Sequence, residues 1–295
     1  MNRKEKASFL ADADRWPPGS SRGVLRGLLN DPTAVAGLML VLAFATIALM
    51  APILAPIDPN VADAARRLEG PSPSHTLGTD NLGRDIWSRL VYGSRWSLGV
   101  VAVATVLIMS IGITVGTAAG YFGGLVDSIL MRVVDVLLAF PSLLLAIAIA
   151  GTLGPGITSV IIGLSSVWWA SYARIVRGLV LTMRERDFVA AARGLGAPEG
   201  HIILRHILPN VLPPVAILAT VEMGELILAV AGLGFLGLGA QPPAPEWGTM
   251  VNDGRPFLLS APRLMILPGV AISLAVIGMN LLGDGLRDVL DPRSR

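Results

Sequence analysis

Glu222 and Glu225 are the residues most able to do chemistry, because they stand in an otherwise uncharged stretch from Val211 to Leu236. A carboxylate inside a membrane is costly, and it normally faces a cavity, a pore or a polar partner. Glu222 lies 11 residues past Val211, about 16 Å along a helix, near mid-membrane. At i and i+3 the two share a helix face. One chemistry open to them is to line a translocation path and favour a cationic group. The other is to hydrogen-bond a partner subunit, or to tie helices together as a protonated acid. Little else could react. The chain has no cysteine and three histidines, so thiolate metal sites and cysteine nucleophiles are excluded. His201 and His206 are five apart, the wrong spacing for ligands on one helix face, and His75 stands alone in a loop. No metal site is expected. Gly78-Thr-Asp-Asn-Leu-Gly83 continues into Arg-Asp, so it is not a phosphate-binding P-loop. The chain is not expected to hydrolyse ATP itself, and no nucleophile accompanies the two glutamates to make a membrane enzyme.

The elements that position these residues are apolar spans. Of 295 residues 53% are hydrophobic and 15% charged, with mean hydropathy +0.66; an ordinary soluble domain carries roughly 25% charged residues. This composition cannot coat a soluble enzyme, and a net charge of +2 argues against a nucleic-acid partner. The fold class expected is an all-α polytopic membrane protein surrounded by lipid. Pro32–Ile57 and Trp96–Val126 are uncharged and hold the first two spans. Val136–Ala173 is too long for one crossing and breaks at Gly151-Thr-Leu-Gly-Pro-Gly156, so a third span is expected from Ile129 to Ala150 and a fourth from Ile157 to about Val176. The fifth runs from Val211 to Leu236 and the sixth from Leu264 to Gly283. No period-two alternation supports a barrel. The start, Met1–Pro18, lacks the apolar core of a cleavable signal. Six basic residues precede the first span (Arg3, Lys4, Lys6, Arg15, Arg22, Arg26). With six helices and both termini cytoplasmic, the Lys and Arg divide 16 inside and 7 outside, as the positive-inside rule requires. Five arginines in the first external loop run against it locally.

The longest internal connection, about 177–209, reads as two short helices. Asp187 is the expected N-cap, Gly196 the stop, and Pro198-Glu199 the restart, with Leu208-Pro209-Asn210 ending the second helix. Three consecutive alanines would let this hairpin enter a groove on another protein; an amphipathic connector on the membrane surface is the alternative. Arg132 and Asp135 are expected to pair at the rim or to act in gating. Gly232, Gly234, Gly237 and Gly239 suggest close packing or a hinge. Trp87 and Trp247 read as interfacial anchors or docking contacts for a binding protein.

The loop resembles the coupling ("EAA") loop of permease subunits of bacterial ABC importers. Ala190-Ala191-Ala192 is followed after three residues by Gly196, then by Ile207-Leu208-Pro209. Ala190 stands where the family often has its glutamate, a departure expected to weaken one polar contact to the ATPase while leaving the helix and Gly196 intact. The block from His75 to Leu90 with Tyr92–Arg95, the run Gly232–Gly248 and the stretch Asn280–Arg293 are similar to the C-type permeases of dipeptide, oligopeptide and nickel importers. The resemblance implies a five-helix core with an extra N-terminal helix. The chain divides into a cytoplasmic segment 1–31, a first helix and external loop 32–95, and a core 96–295. It also implies a homologous second permease, two cytoplasmic ATPase subunits and an external solute-binding protein. ATP and Mg²⁺ would sit on the ATPases, leaving no cofactor on this chain. Residues implied in ATPase coupling are Asp187, Phe188, Val189, Ala190, Ala191, Ala192, Arg193, Gly196, Leu208 and Pro209. The expected function is peptide import by alternating access. A nickel or other small-solute importer is the near alternative. A proton-coupled secondary transporter using Glu222 and Glu225 is the distant one.

Overall fold

A computed structural model describes residues 28–290. The basic residues counted ahead of the first span and the last residues of the Asn280–Arg293 block lie outside them. The described residues contain helices and loops, and no strand. Helix α1 spans Pro32–Leu49. Asp31 caps it by accepting from the Thr33 amide at 2.8 Å, and Pro32 fills the first turn, where a missing N–H costs nothing. A short α2, Ala51–Leu54, and an irregular loop follow. Helix α3, Ile86–Phe122, has 37 residues, about 55 Å, well beyond the roughly 30 Å of a hydrocarbon core. It starts ten residues before the uncharged run at Trp96, because Asp85 caps it through the Ser88 amide at 2.8 Å. Arg89, taken for a loop residue, lies on this helix and is 2% exposed. Protein groups surround it, so the charge does not end the helix.

The expected third span is broken. Helices α4, Gly124–Leu138, and α5, Ser142–Leu153, meet at an angle of 87°. Pro141 lacks the amide a continuous helix needs, and its ring drives Phe140 out of helical geometry. Helix α6, Ile157–Arg184, runs eight residues past its expected end. It makes the most extensive contact in the chain, against α3. Gly112, Gly116 and Gly120, one per turn of α3, are what allows it. A Cβ at each would lie 2.5, 2.5 and 2.9 Å from atoms of α6. Without a hydrophobic force between helices in lipid, this small-residue stripe lets the backbones pack.

After α6 come α7, Asp187–Gly194, and α8, Glu199–Ile202. A π turn, Ile203–Ile207, then carries the chain without interruption into α9, Leu208–Phe235. Leu208-Pro209-Asn210 therefore does not end a helix. Pro209 sits in the first turn of α9. The preceding π turn changes the bonding so that the Leu208 amide reaches the Ile203 carbonyl. The Asn210 side chain donates to the His206 carbonyl at 2.6 Å. Helix α10, Trp247–Gly254, and α11, Arg263–Leu290, complete the fold. Helix α11 packs on α1, α9 and α10. Among the described residues five helices are long and apolar enough to cross a membrane, and the bent α4–α5 pair makes six if it counts as one span.

Candidate functional site

At the end of the bundle where α3 begins, four of the five arginines that ran against the charge rule, Arg66, Arg67, Arg84 and Arg89, meet partners within the protein, and Arg95 is the fifth. The Arg84 Nε meets Asp80 Oδ2 at 2.6 Å and the Arg89 Nε meets it at 3.4 Å. Arg84 also reaches Asp253 of α10 at 3.6 Å. Arg89 donates to the carbonyls of Pro59 and Pro243 at 3.1 and 3.2 Å. His75 Nδ1 lies 2.9 Å from Asp85 and its Nε2 3.1 Å from Arg66; His75 is thus a structural residue between two loop partners. Glu246 is buried and caps α10. It accepts from the Gly248 and Thr249 amides, both at 2.8 Å, and from the Ser97 hydroxyl at 3.3 Å. Burial pushes the Glu246 carboxyl above its usual range, against the opposing pull of these donors. Burial likewise raises Asp253, with Arg84 and Arg89 pulling it down. This polar lock joins the 58–85 loop, the start of α3 and the 240–262 segment.

Trp247 is not an anchor at a lipid interface, nor is it open to a docking protein. It is 1% exposed, donates to the Leu90 carbonyl at 3.0 Å and meets Phe44 edge-on at 5.7 Å. Gly93 leaves room for its ring, since a Cβ there would lie 2.7 Å from it. Trp87 remains 40% exposed, although its Nε1 donates to the Leu54 carbonyl. Gly234 and Gly239 pack against the α10 start and each other, while Gly237 takes the left-handed turn after α9 at φ +81°.

The 187–209 segment lies at the other end of α3. Helix α7 begins at Asp187, not after it; the capping position is Arg186 and has no side-chain bond. Asp187 therefore supports the helix only as a negative charge in its first turn. The stop is as expected. Gly196 has φ +81°, and the Ala197 amide donates back to the Ala192 carbonyl at 3.1 Å. Val189 is fully buried and Ala192 and Ala197 pack on the bundle core. Phe188, Ala190, Ala191 and Arg193 face outward with Leu195, which is 89% exposed. The hairpin is clasped to the bundle by contacts that sequence reasoning missed. The Tyr121 hydroxyl, at the end of α3, donates to the Glu199 carboxylate. The Arg193 guanidinium sits 5.9 Å from the Tyr121 ring centre. Arg184 donates to the Gly120 and Tyr121 carbonyls at 3.3 and 3.2 Å. Only contacts distant in sequence assemble this clasp, so no local signal marks it. The nearby rim also pairs differently from expectation. Asp135 meets Arg174 of α6 at 2.6 Å and Asp127 meets Arg177 at 2.6 Å. A facing helix offers Asp135 better reach than Arg132 on its own.

Substituting Gly196 by alanine is expected to strain this turn by about 1–2 kcal/mol. No atom lies within 4 Å of the added Cβ, so the cost is conformational. Hydrogen exchange should rise over 187–202 while α3 and α6 stay protected; unchanged exchange there would remove the turn's special status.

Glu222 and Glu225 part company. Glu222 turns toward Tyr172 of α6, which is fully buried. The Tyr172 hydroxyl and Glu222 Oε2 are buried with no hydrogen-bond partner. Glu225, one turn on along α9, is exposed. Among the described residues no cluster of acidic and histidine side chains could hold a metal ion.

A bundle of apolar spans, polar-locked at one end and carrying a clasped helical hairpin at the other, is the architecture of a multi-pass membrane protein. The comparisons make this specific. Residues 112–295 match the binding-protein-dependent transport system inner membrane component, and residues 21–71 match the N-terminal TM domain of oligopeptide transport permease C. The dipeptide transport system permease protein DppC of Alkalihalophilus pseudofirmus is 44% identical over 93% of this chain and 90% of its own length. The nickel transport system permease protein NikC of Escherichia coli is 44% identical over 86% of this chain and 92% of its own. The glutathione transport system permease protein GsiD of Pectobacterium atrosepticum is 44% identical over 91% and 89%. In fold, the chain is similar to the MetNI methionine ABC transporter in an inward-facing conformation, with TM-score 0.54 and 21% identity over 68% of this chain and 95% of that one. The chain belongs to the binding-protein-dependent transport system inner membrane components. It is a C-type permease subunit of an ABC importer, a multi-pass protein of the bacterial inner membrane. A proton-coupled secondary transporter finds no support among these relatives.

Proposed function

We propose that this chain is half of the translocation path of an ATP-driven peptide importer, paired with a homologous permease. Two cytoplasmic ATPases, which bind the ATP and Mg²⁺, dock on the hairpin, and an external solute-binding protein delivers the peptide. Both termini are then cytoplasmic, and the polar-locked end faces the binding protein. The hairpin geometry carries this reading. One side of α7 is fixed to the bundle through Val189 and Ala192, while the other presents Phe188, Ala190, Ala191 and Leu195 outward, with Arg193 exposed at the edge beside Tyr121. An ATPase that grips this face moves the whole bundle, because the Tyr121–Glu199 clasp and the continuous 199–235 helical segment leave little slack. Rigid-body motion of packed helices is a standard way to switch access. Asp187, Gly196, Leu208 and Pro209 shape and orient the hairpin.

The dipeptide and glutathione permeases among the relatives favour a peptide substrate; the equally similar nickel permease makes a metal complex the alternative. Purification of the tagged chain from its host should bring down a second permease and ATPase activity that a cognate binding protein with its peptide stimulates. A lone chain without nucleotide-dependent activity would refute the assembly. Stimulation by a nickel-loaded receptor and by no peptide would move the substrate to the alternative.

Of the two glutamates, exposed Glu225 is placed to meet a peptide's cationic amino group. Glu225→Gln is expected to lower uptake of free-amino peptides about tenfold relative to N-acetylated ones. A hydrogen bond to a charged group contributes about 1.5–3 kcal/mol. Glu222→Gln, facing Tyr172, should lower both uptakes equally or neither. Equal losses for both peptide classes in Glu225→Gln would sink the path assignment.

A further inference from the structure

Helix α1 leaves a groove of about 440 Å³ between itself and the core spans. Its walls include Val41, Phe44 and Ala48 of α1, Leu98 of α3, Met223 of α9 and Met279 of α11. The lining is apolar except at one edge, where Ser94 and Arg95 stand. Three facts decide what such a groove can hold.

The first is size. About 440 Å³ is roughly the volume of one helical turn with its side chains, taking a diameter of about 10 Å and a pitch of 5.4 Å. A spanning helix needs about 20 residues, so the groove cannot seat one along its length. A flexible hydrocarbon chain fits such a space.

The second is charge. The arginines of the neighbouring polar lock are committed: Arg84 and Arg89 to Asp80, and Arg263 to the Leu68 and Glu69 carbonyls at 2.9 and 2.8 Å. Arg95 has no ion pair or hydrogen bond among the described residues. Arg95 is exposed at the wall of the apolar groove, so its guanidinium is open to an anion, and its planar fork suits a phosphate.

The third is depth. Arg95 is the last charge before the uncharged run from Trp96 to Val126. Trp96 beside it is 43% exposed, in the manner of interfacial aromatics. Arg95 thus sits where the polar edge of a bilayer meets its hydrocarbon, with the groove running along the apolar side.

We propose that this groove is a structural phospholipid site, with one acyl chain between α1 and the core and the headgroup phosphate on Arg95. The lipid would fill the gap beneath an accessory helix that is itself only sparingly buried, 11% of its residues. It would thereby hold α1 against the core. The site does not depend on the transport reading.

The test uses the full chain in its native complex, in nanodiscs of phosphatidylglycerol that carries a photoreactive diazirine in its acyl chain. Illumination and peptide mapping should place adducts in 41–49 and 98–102 at several times the density found on exposed lipid-facing residues such as Leu143 and Leu144. Arg95→Gln should reduce groove adducts about tenfold, and Arg95→Lys should retain most of them. Ala45→Trp, which fills the groove without touching the charge, should also reduce them. Replacing phosphatidylglycerol by a photoreactive galactolipid, which lacks phosphate, should act like Arg95→Gln. Melting temperatures report whether each variant is folded. Groove labelling no denser than the exposed surface overturns the proposal, as does equal labelling by the galactolipid. The chain has no native cysteine, so Ala45→Cys supplies a single thiol. Its cross-linking to the second permease would make the groove a subunit contact and equally overturn the lipid assignment.

Discussion

Asp80→Ala is expected to destabilise the folded chain by about 3–5 kcal/mol, the cost of breaking a buried ion pair from one side. Asp80 is 7% exposed, and Arg84 and Arg89 are 3% and 2% exposed. The single carboxylate serves four donors. Its Oδ1 accepts from the Leu82 and Arg84 amides at 2.8 and 2.9 Å, and its Oδ2 faces both guanidinium groups. Removing it leaves two buried cations side by side. Asp253, at 3.6 Å from Arg84 alone, cannot neutralise both. The effect should spread through the carbonyls of Pro59 and Pro243, which Arg89 binds, loosening two loops at once. The measurement is thermal unfolding of the purified chain in detergent beside Arg174→Ala. Arg174 pairs with Asp135 at 2.6 Å with both side chains more than half exposed and lies outside the lock, so its loss should cost less than about 1 kcal/mol. If the two variants melt together, the lock is not a major stabilising element.

That lock also marks the limit of what the sequence made legible. The spans were readable because lipid demands long uncharged runs, and most fall where the runs fall. The same criterion misplaced the start of α3. Arg95 bounds the uncharged run but not the helix, which continues back past Arg89 because that charge is met by Asp80 and two carbonyls rather than by lipid. Proline was read too strongly in one place and not at all in another. Pro209 looked like a terminator, yet the π turn before it lets the helix continue. Pro141 sat in an apolar run whose glycine cluster drew attention elsewhere, and it is the residue at the 87° bend. The stripe Gly112-Gly116-Gly120 was visible as a period of four and would have paired α3 with another span.

The candidate sites divide in the same way. Gly196 was legible because a left-handed stop is a local property. Glu222 and Glu225 were legible as costly charges on one helix face, but their difference in exposure was not. A three-residue step leaves them only about 60° apart, so their exposure is decided by what α6 places against each, Tyr172 against Glu222, which spacing does not show. The Tyr121–Glu199 clasp joins residues 78 apart, and Trp247 is buried against a helix that begins more than 150 positions earlier. Such pairings have no signature in spacing. They exist because α3 runs the whole height of the bundle, with the lock at its start and the clasp at its end.

Leu195→Asp is expected to weaken ATPase attachment by at least about 30-fold while leaving the permease folded. The two halves of that expectation come from the same number. Leu195 is 89% exposed, so the subunit itself loses almost no buried apolar area when it is replaced. An apolar side chain so exposed at the tip of the hairpin has a use only if something covers it, and Phe188 at 43% exposure extends the same surface. A hot-spot residue at the centre of an interface contributes about 2 kcal/mol or more, which is a factor of about 30 in affinity, and Leu195 at the hairpin tip is expected to be one. A buried aspartate adds a desolvation cost on top. Val189→Asp is the necessary contrast. That side chain is fully buried on the inward face, so its substitution should lower the melting temperature as well as the attachment. Co-purified ATPase and melting temperature, measured on both variants, separate the two faces of α7. Loss of attachment without loss of stability in Leu195→Asp assigns the outward face to the ATPase. Full retention of the ATPase in that variant would leave the hairpin as a connector, and docking would have to be sought on another surface.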